Sequence, residues 1–190
     1  MPSGRERILD AAYPLFSRSG IRAVGVDRIV DAAGVAKMTL YRNFPSKDEL
    51  ALAYLDMREE RWTRGWLWDE IRRRADMPGD RLLAIFDVFG EWFEREDFEG
   101  CSFINILLEQ DDAGDPVRVA TVQHLANIRS LIQELASDAG IPDPDAFSRQ
   151  WHILMKGSIV SAGEGDRDAA RRARELGTLL LERHGVPVSG

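Results

Sequence analysis

Apolar residues recur along this chain at steps of three and four, and no run of useful length alternates in steps of two, which is the pattern of helices packed on helices. The first helix opens at Ser3, with Glu6 placed to complete a capping box. It runs through Ile8, Ala12, Leu15 and Phe16 and ends near Gly20. Pro14 lies inside it and is expected to bend it, because proline removes one backbone hydrogen bond. Val26, Ile29, Val30 and Ala33 follow the i, i+3, i+4, i+7 spacing of a second, short helix that ends at Gly34. A third helix of one or two turns is stopped by Pro45, and a second capping box, Ser46 to Glu49, starts a long fourth. The fourth carries Leu50, Leu52, Ala53, Leu55, Trp62 and Trp66, and should reach the low seventies before Met77-Pro78-Gly79 breaks it. Further helices are predicted near 80–97, 102–110, 116–139, 146–162 and 167–184, with Asp115-Pro116 and Asp143-Pro144 as start signals. The fold class is all-α, with about nine helices and no internal repeat or low-complexity stretch.

The third helix is too short to build a core, so its polar residues need another explanation. At about 100° per residue, Leu40 and Phe44 point the same way, toward the neighbouring helices. Met38, Thr39 and Arg42 occupy the opposite arc, with Tyr41 and Asn43 at its edges. Two short helices joined at Gly34 make a helix-turn-helix, whose second helix enters the major groove of DNA. Arg42 can pair bidentately with guanine, Thr39 can meet a base edge or a thymine methyl, and Met38 offers apolar contact alone. Lys37, Tyr41 and Lys47 suit phosphate oxygens, and Ser46 and Lys47 also stand at a helix N-terminus, where backbone donors attract a phosphate.

Charge sharpens this picture. The net charge of -7 argues against uniform coating of nucleic acid or of an anionic membrane. Residues 1–47 nevertheless hold eight Lys or Arg against four Asp or Glu, a balance of +4, and the rest of the chain carries -11. A basic end on an acidic body is what a localised DNA-binding face needs, because phosphate contacts supply much of the affinity. The single Cys101 excludes an intramolecular disulfide and points to a reducing compartment. The charged N-terminus has no apolar run after it, and no window approaches 18 apolar residues, so a cytoplasmic protein without a membrane span is expected. Catalysis finds little material here. There is no Gly-x-x-x-x-Gly-Lys phosphate loop, no Gly-x-Gly-x-x-Gly after a strand and no His-Glu-x-x-His, and the three His are scattered. The acidic run Glu109 to Asp115 lacks the spacing of a calcium loop and reads as an interhelical turn. No catalytic residue, metal ligand or cofactor is assigned.

Residues 5–50 resemble the N-terminal domain of the TetR family of bacterial transcriptional regulators. The matching pieces are Arg7-Ile-Leu-Asp-Ala-Ala12, Leu15-Phe16, Gly20, Ile29, Ala32-Ala-Gly-Val35, Thr39-Leu-Tyr41 and Phe44-Pro-Ser-Lys47. The resemblance implies three DNA-binding helices, a larger helical ligand-binding domain, and a homodimer that usually represses. It directs Lys37, Thr39, Tyr41, Arg42, Asn43 and Lys47 at DNA, with Met38 standing where a small residue is common. Gly25 and Ala36 replace the Ser or Thr that commonly cap the second and third helices, so two hydroxyl contacts to phosphate are not expected.

These readings divide the chain into a DNA-binding domain, 1–47, and a ligand-binding and dimerisation domain, 48–190. Residues 146–184 look like the family's two dimer-forming helices, with Ala169, Ala170, Ala173 and Gly177 as a small-residue stripe that would permit close approach. Pockets are mostly apolar with a few convergent polar groups, which makes Phe103, Asn105, Glu109, His124, Trp151 and Met155 candidate effector contacts. The expected protein is a homodimeric repressor, released from a double-stranded palindromic operator by a small, largely apolar effector. A helical adaptor without DNA binding and a ligand-dependent activator are the alternatives.

Overall fold

A computed structural model describes residues 2–188. The helices are α1 (Gly4–Ala23), α2 (Val26–Ala33), α3 (Lys37–Asn43), α4 (Lys47–Arg58), α5 (Trp68–Arg74), α6 (Pro78–Phe93), α7 (Ser102–Glu109), α8 (Pro116–Asp138), α9 (Pro144–Gly163) and α10 (Ala169–Arg183). A π-helical segment, Glu59–Leu67, joins α4 to α5 with helical dihedrals at both junctions. With those three stretches counted as one helix, the described residues hold nine helices and no strand.

Residue contacts gather into two compact units. The first takes the chain up to Arg61 together with Cys101–His124. Its centre is α1, which packs on α2, α3, α4 and α7. Ile8, Leu9, Ala12 and Phe16 of α1, Ile29 of α2, Leu40 of α3, Leu50 and Tyr54 of α4 and Phe103 and Ile106 of α7 are all buried. The second unit takes Trp62–Gly100 and the chain from Leu125 onward. There α6 packs on α5, α9 and α10, and the buried Phe89 and Trp92 are flanked by the half-buried rings of Trp62, Trp66, Phe93 and Phe98. Trp151 lies wholly buried between Phe86 and Phe147. A Cβ added at Gly177 would stand 2.8 Å from its ring, so α10 reaches this core only by lacking a side chain there.

Local chemistry explains the ends. Ser3 and Glu6 form both bonds of a capping box, whereas at α4 the side chain of Ser46 accepts from Glu49 N at 3.1 Å without the return bond. Asp115 and Asp143 cap α8 and α9 through Arg118 N and Ala146 N, each ahead of a proline in the first turn. Pro14 lies on the exposed side of α1, where water can take the carbonyl it leaves unpaired, and the dihedrals leave the helical region at Gly20, φ 73 and ψ 171. One expectation is corrected. Pro78-Gly79 opens α6 instead of merely separating helices, since proline's missing N–H costs nothing in a first turn.

His152 is buried on α9, and burial, followed by Lys156 and Arg129, holds its imidazole down at about 3 against an ordinary 6.5. The unfolded chain therefore takes up a proton below pH 6.5 that the folded chain refuses, and stability is lost as pH falls from there toward the folded value. The limiting slope is about 1.4 kcal/mol per pH unit. Chemical denaturation at pH 7 and pH 5 should show wild type losing more stability between the two than His152→Leu; equal losses would mean the ring is solvated.

Candidate DNA-binding surface

The turn between α2 and α3 depends on Gly34, whose φ of 61° and ψ of 40° lie in the left-handed region. Its N–H bonds Asp31 O at 3.2 Å and the next N–H, on Val35, bonds Val30 O at 3.3 Å, which closes α2 and turns the chain into α3. Neither Gly25 nor Ala36 makes a side-chain cap, as their residue types require. The seven-residue α3 is held by what it buries: Leu40 and Phe44 are both sealed in the core, each contributing about 1.5–3 kcal/mol by area.

The opposite side of α3 is open. Met38 is 69% exposed and Tyr41 42%, and Arg42 is exposed without an ion pair among the described residues. Lys37 is exposed and bonded to Asp27 at 2.7 Å, a contact that raises its pKa. Such a surface pair is weak and exchangeable. Thr39 and Asn43 are half-buried on the edge facing the first turn of α1. A Cβ at Gly4 would lie 3.3 Å from the Thr39 methyl and 3.6 Å from Asn43 Nδ2, and Asn43 donates to Thr39 O at 2.8 Å. Lys47, half-buried, donates to Arg22 O at 3.4 Å, and burial lowers its pKa. The outward arc read from the sequence is thus physically outward, with Thr39 and Asn43 turned aside from its centre.

The six effector-contact candidates separate. Phe103 stacks on His124 at 5.2 Å in the first unit, where His124 bonds the buried Glu59 through Nδ1 and approaches Asp56 at 3.4 Å through Nε2. Glu109 accepts from Ile21 N at 3.0 Å and Arg22 N at 3.2 Å, so its carboxylate closes the backbone break at Gly20. Asn105 is exposed. Trp151 and Met155 lie in the core of the second unit. Glu59 is the partner that residue-by-residue reading missed, since no local pattern links it to a histidine 65 positions away. The acidic turn is as expected: Gly114 N bonds Asp112 at 2.9 Å, and Asp115 caps α8.

Within the chain the small-residue stripe is covered: Ala169, Ala170, Ala173 and Gly177 are buried, Ala170 near Gly90 and Gly177 against the Trp151 ring, where a Cβ would not fit, while Ala169 and Ala173 also line the groove between α9 and α10. The unpartnered apolar surface of these helices is instead Ile153, Val160, Leu176 and Leu179, each at least half exposed. A groove of about 270 Å³ runs between α9 and α10, with Ile153, Gly157, Ser161 and Leu176 in its lining.

Comparison with known proteins agrees with this arrangement. Residues 8–54 match the model of bacterial regulatory proteins of the tetR family, and residues 78–176 match that of the tetracyclin repressor-like C-terminal domain. The transcriptional activator FasR of Mycolicibacterium smegmatis is 34% identical over 119 residues, 63% of this chain and about half, 52%, of that protein. The transcriptional regulator AcrR of Shigella flexneri is 25% identical over 94% of this chain and 87% of its own. A TetR-type regulator from Streptomyces avermitilis superimposes with a TM-score of 0.86 at 30% identity, covering 98% of this chain and 100% of that one. Among the described residues no helix is long and apolar enough to cross a membrane. With a helix-turn-helix whose outer face is open and both halves matched, the chain belongs to the TetR family of DNA-binding transcriptional regulators.

Proposed function

We propose that this protein is a cytoplasmic homodimeric repressor that leaves a palindromic operator when a small, substantially apolar molecule binds its C-terminal region. The observation that carries the DNA part is the exposed arc Lys37, Met38, Tyr41 and Arg42 on a helix whose other side is fully buried. The domain from residue 1 to 47 supplies those contacts and the chain from 48 to 190 supplies dimer and effector sites. One short helix buries too little surface for a specific affinity of about 10⁻⁸–10⁻¹¹ M. A twofold dimer doubles the contact and requires half-sites about one helical turn, or a multiple of it, apart. Support for an effector comes from the match of residues 78–176 to the tetracyclin repressor-like C-terminal domain.

Activator is the second reading. A relative named an activator and one named a repressor, ComR of Escherichia coli, both match this chain. Transcription from a reporter behind the selected operator distinguishes the two.

Selection of bound duplexes from a random pool should yield a palindrome. On that duplex Arg42→Ala should cost about 1–3 kcal/mol and relax one base position, while Lys47→Ala should weaken all sequences alike and lower the salt slope by about 0.9. If neither variant binds more weakly, α3 is not the reading helix. Leu176→Arg, which places charge at an exposed site, should give a folded monomer by sedimentation with weak operator binding; an unchanged dimer would remove α10 from the interface. A ligand works only through unequal affinity for the two states. An effector found by its quenching of tryptophan fluorescence should therefore bind more weakly when operator is present, by the factor by which it weakens operator binding. Identical effector affinities with and without operator would end the release mechanism.

A further inference from the structure

Gly4 brings the first turn of α1 directly against the edge of α3. With no Cβ it sits beside the Thr39 methyl and Asn43 Nδ2; a Cβ there would press on the Thr39 methyl at 3.3 Å. The next residue, Arg5, is exposed, and its guanidinium lies 5.0 Å from the centre of the Phe44 ring. Phe44 is the C-terminal cap of α3 and stands two residues before Ser46, the N-cap of α4. Arg5 therefore occupies the junction between the reading helix and the helix that carries Lys47.

Its charge is not spent elsewhere. Arg5 makes no ion pair among the described residues, whereas Arg22, Lys37 and Arg61 of the same unit each meet an aspartate. The adjacent carboxylate is engaged: Glu6 is folded back onto Ser3 N at 2.6 Å in the capping box, which also lowers its pKa. The ring beneath the guanidinium limits its rotamers, so less freedom is lost when it takes a further partner. A planar, fixed cation beside a DNA-reading helix has the chemistry to bind a phosphodiester oxygen.

We propose that Arg5 is a phosphate contact of the DNA-binding surface, carried by α1 and steered by Phe44. The inference rests on the helix-turn-helix reading above and adds a residue outside that motif. Phosphate contact carries no base information, so Arg5 sets affinity and register and leaves sequence preference to α3.

The test uses the full chain, the duplex obtained by selection and a random-sequence duplex, titrated by fluorescence anisotropy over a range of salt concentrations. Arg5→Met keeps an apolar cover on Phe44 and removes the charge, and Arg5→Lys keeps the charge. Arg72→Met, an exposed cation of the second unit that lies over the Trp68 ring on α5, is the control. Arg5→Met should weaken both duplexes by the same factor and lower the slope of log affinity against log salt by about 0.9; Arg5→Lys should restore the slope. A slope equal to that of wild type and Arg72→Met, with Arg42→Ala still impaired, overturns the Arg5 contact and leaves the helix-turn-helix reading standing. Affinity lost in both Arg5 variants at unchanged slope likewise overturns it, because displacement of α3 then explains the loss. Wild type that binds neither duplex overturns both readings.

Discussion

Seven residues do not make a helix that survives alone in water, because nucleation costs more than two turns of backbone bonding return. Everything this surface presents to DNA therefore depends on Leu40 and Phe44 being held in a core that other helices build. Ile8, Ala12 and Phe16 of α1 form that core with Ile29 and Leu50, and each is essentially inaccessible to solvent. The grip is apolar and close-packed, so α3 has one position, and the arc from Lys37 to Arg42 is aimed by residues that never touch a ligand. Truncating Leu40 would remove about 2–5 kcal/mol and the aim with it.

Much of this was readable in the chain. The spacing of Val26, Ile29, Val30 and Ala33, the glycine at 34 and the apolar pair at 40 and 44 each name one local structure, and they agree with one another. Caps were equally legible, since Ser3, Asp115 and Asp143 act on backbone only three residues away. What lay hidden was long-range partnership. Glu109 reads as a polar group on an apolar helix, and nothing nearby says that its acceptors will meet N–H groups 88 positions earlier. His124 and Glu59 are 65 residues apart, and each alone looks like an ordinary helix residue. Periodicity says that a residue is inward; it does not say which helix it faces. The alanine stripe of α10 illustrates this, for small residues permit close approach equally well inside a subunit and between two.

The second unit is organised by size rather than charge. Gly177 admits the Trp151 ring, and Gly79 admits the side chain of Val186 from the C-terminal tail. Its surface carries bonded arginines, among them Arg74 with Glu91 and Arg174 with Asp87. Arg5 and Arg42 in the first unit have no such carboxylate partner among the described residues, and a cation must be left unneutralised if it is to displace counterions from a polyanion.

The contact at Gly20 bears on how such a regulator can be recombined. The carboxylate of Glu109 occupies the space a side chain at residue 20 would need and takes the two N–H groups that follow it. The module that holds the reading helix is consequently discontinuous in the gene, completed by a piece encoded some ninety codons downstream. A chimera joined near residue 47 would inherit the letters of the DNA-reading segment without the acid that closes its first helix. To transplant the module intact, α7 and the opening turns of α8 would have to travel with it.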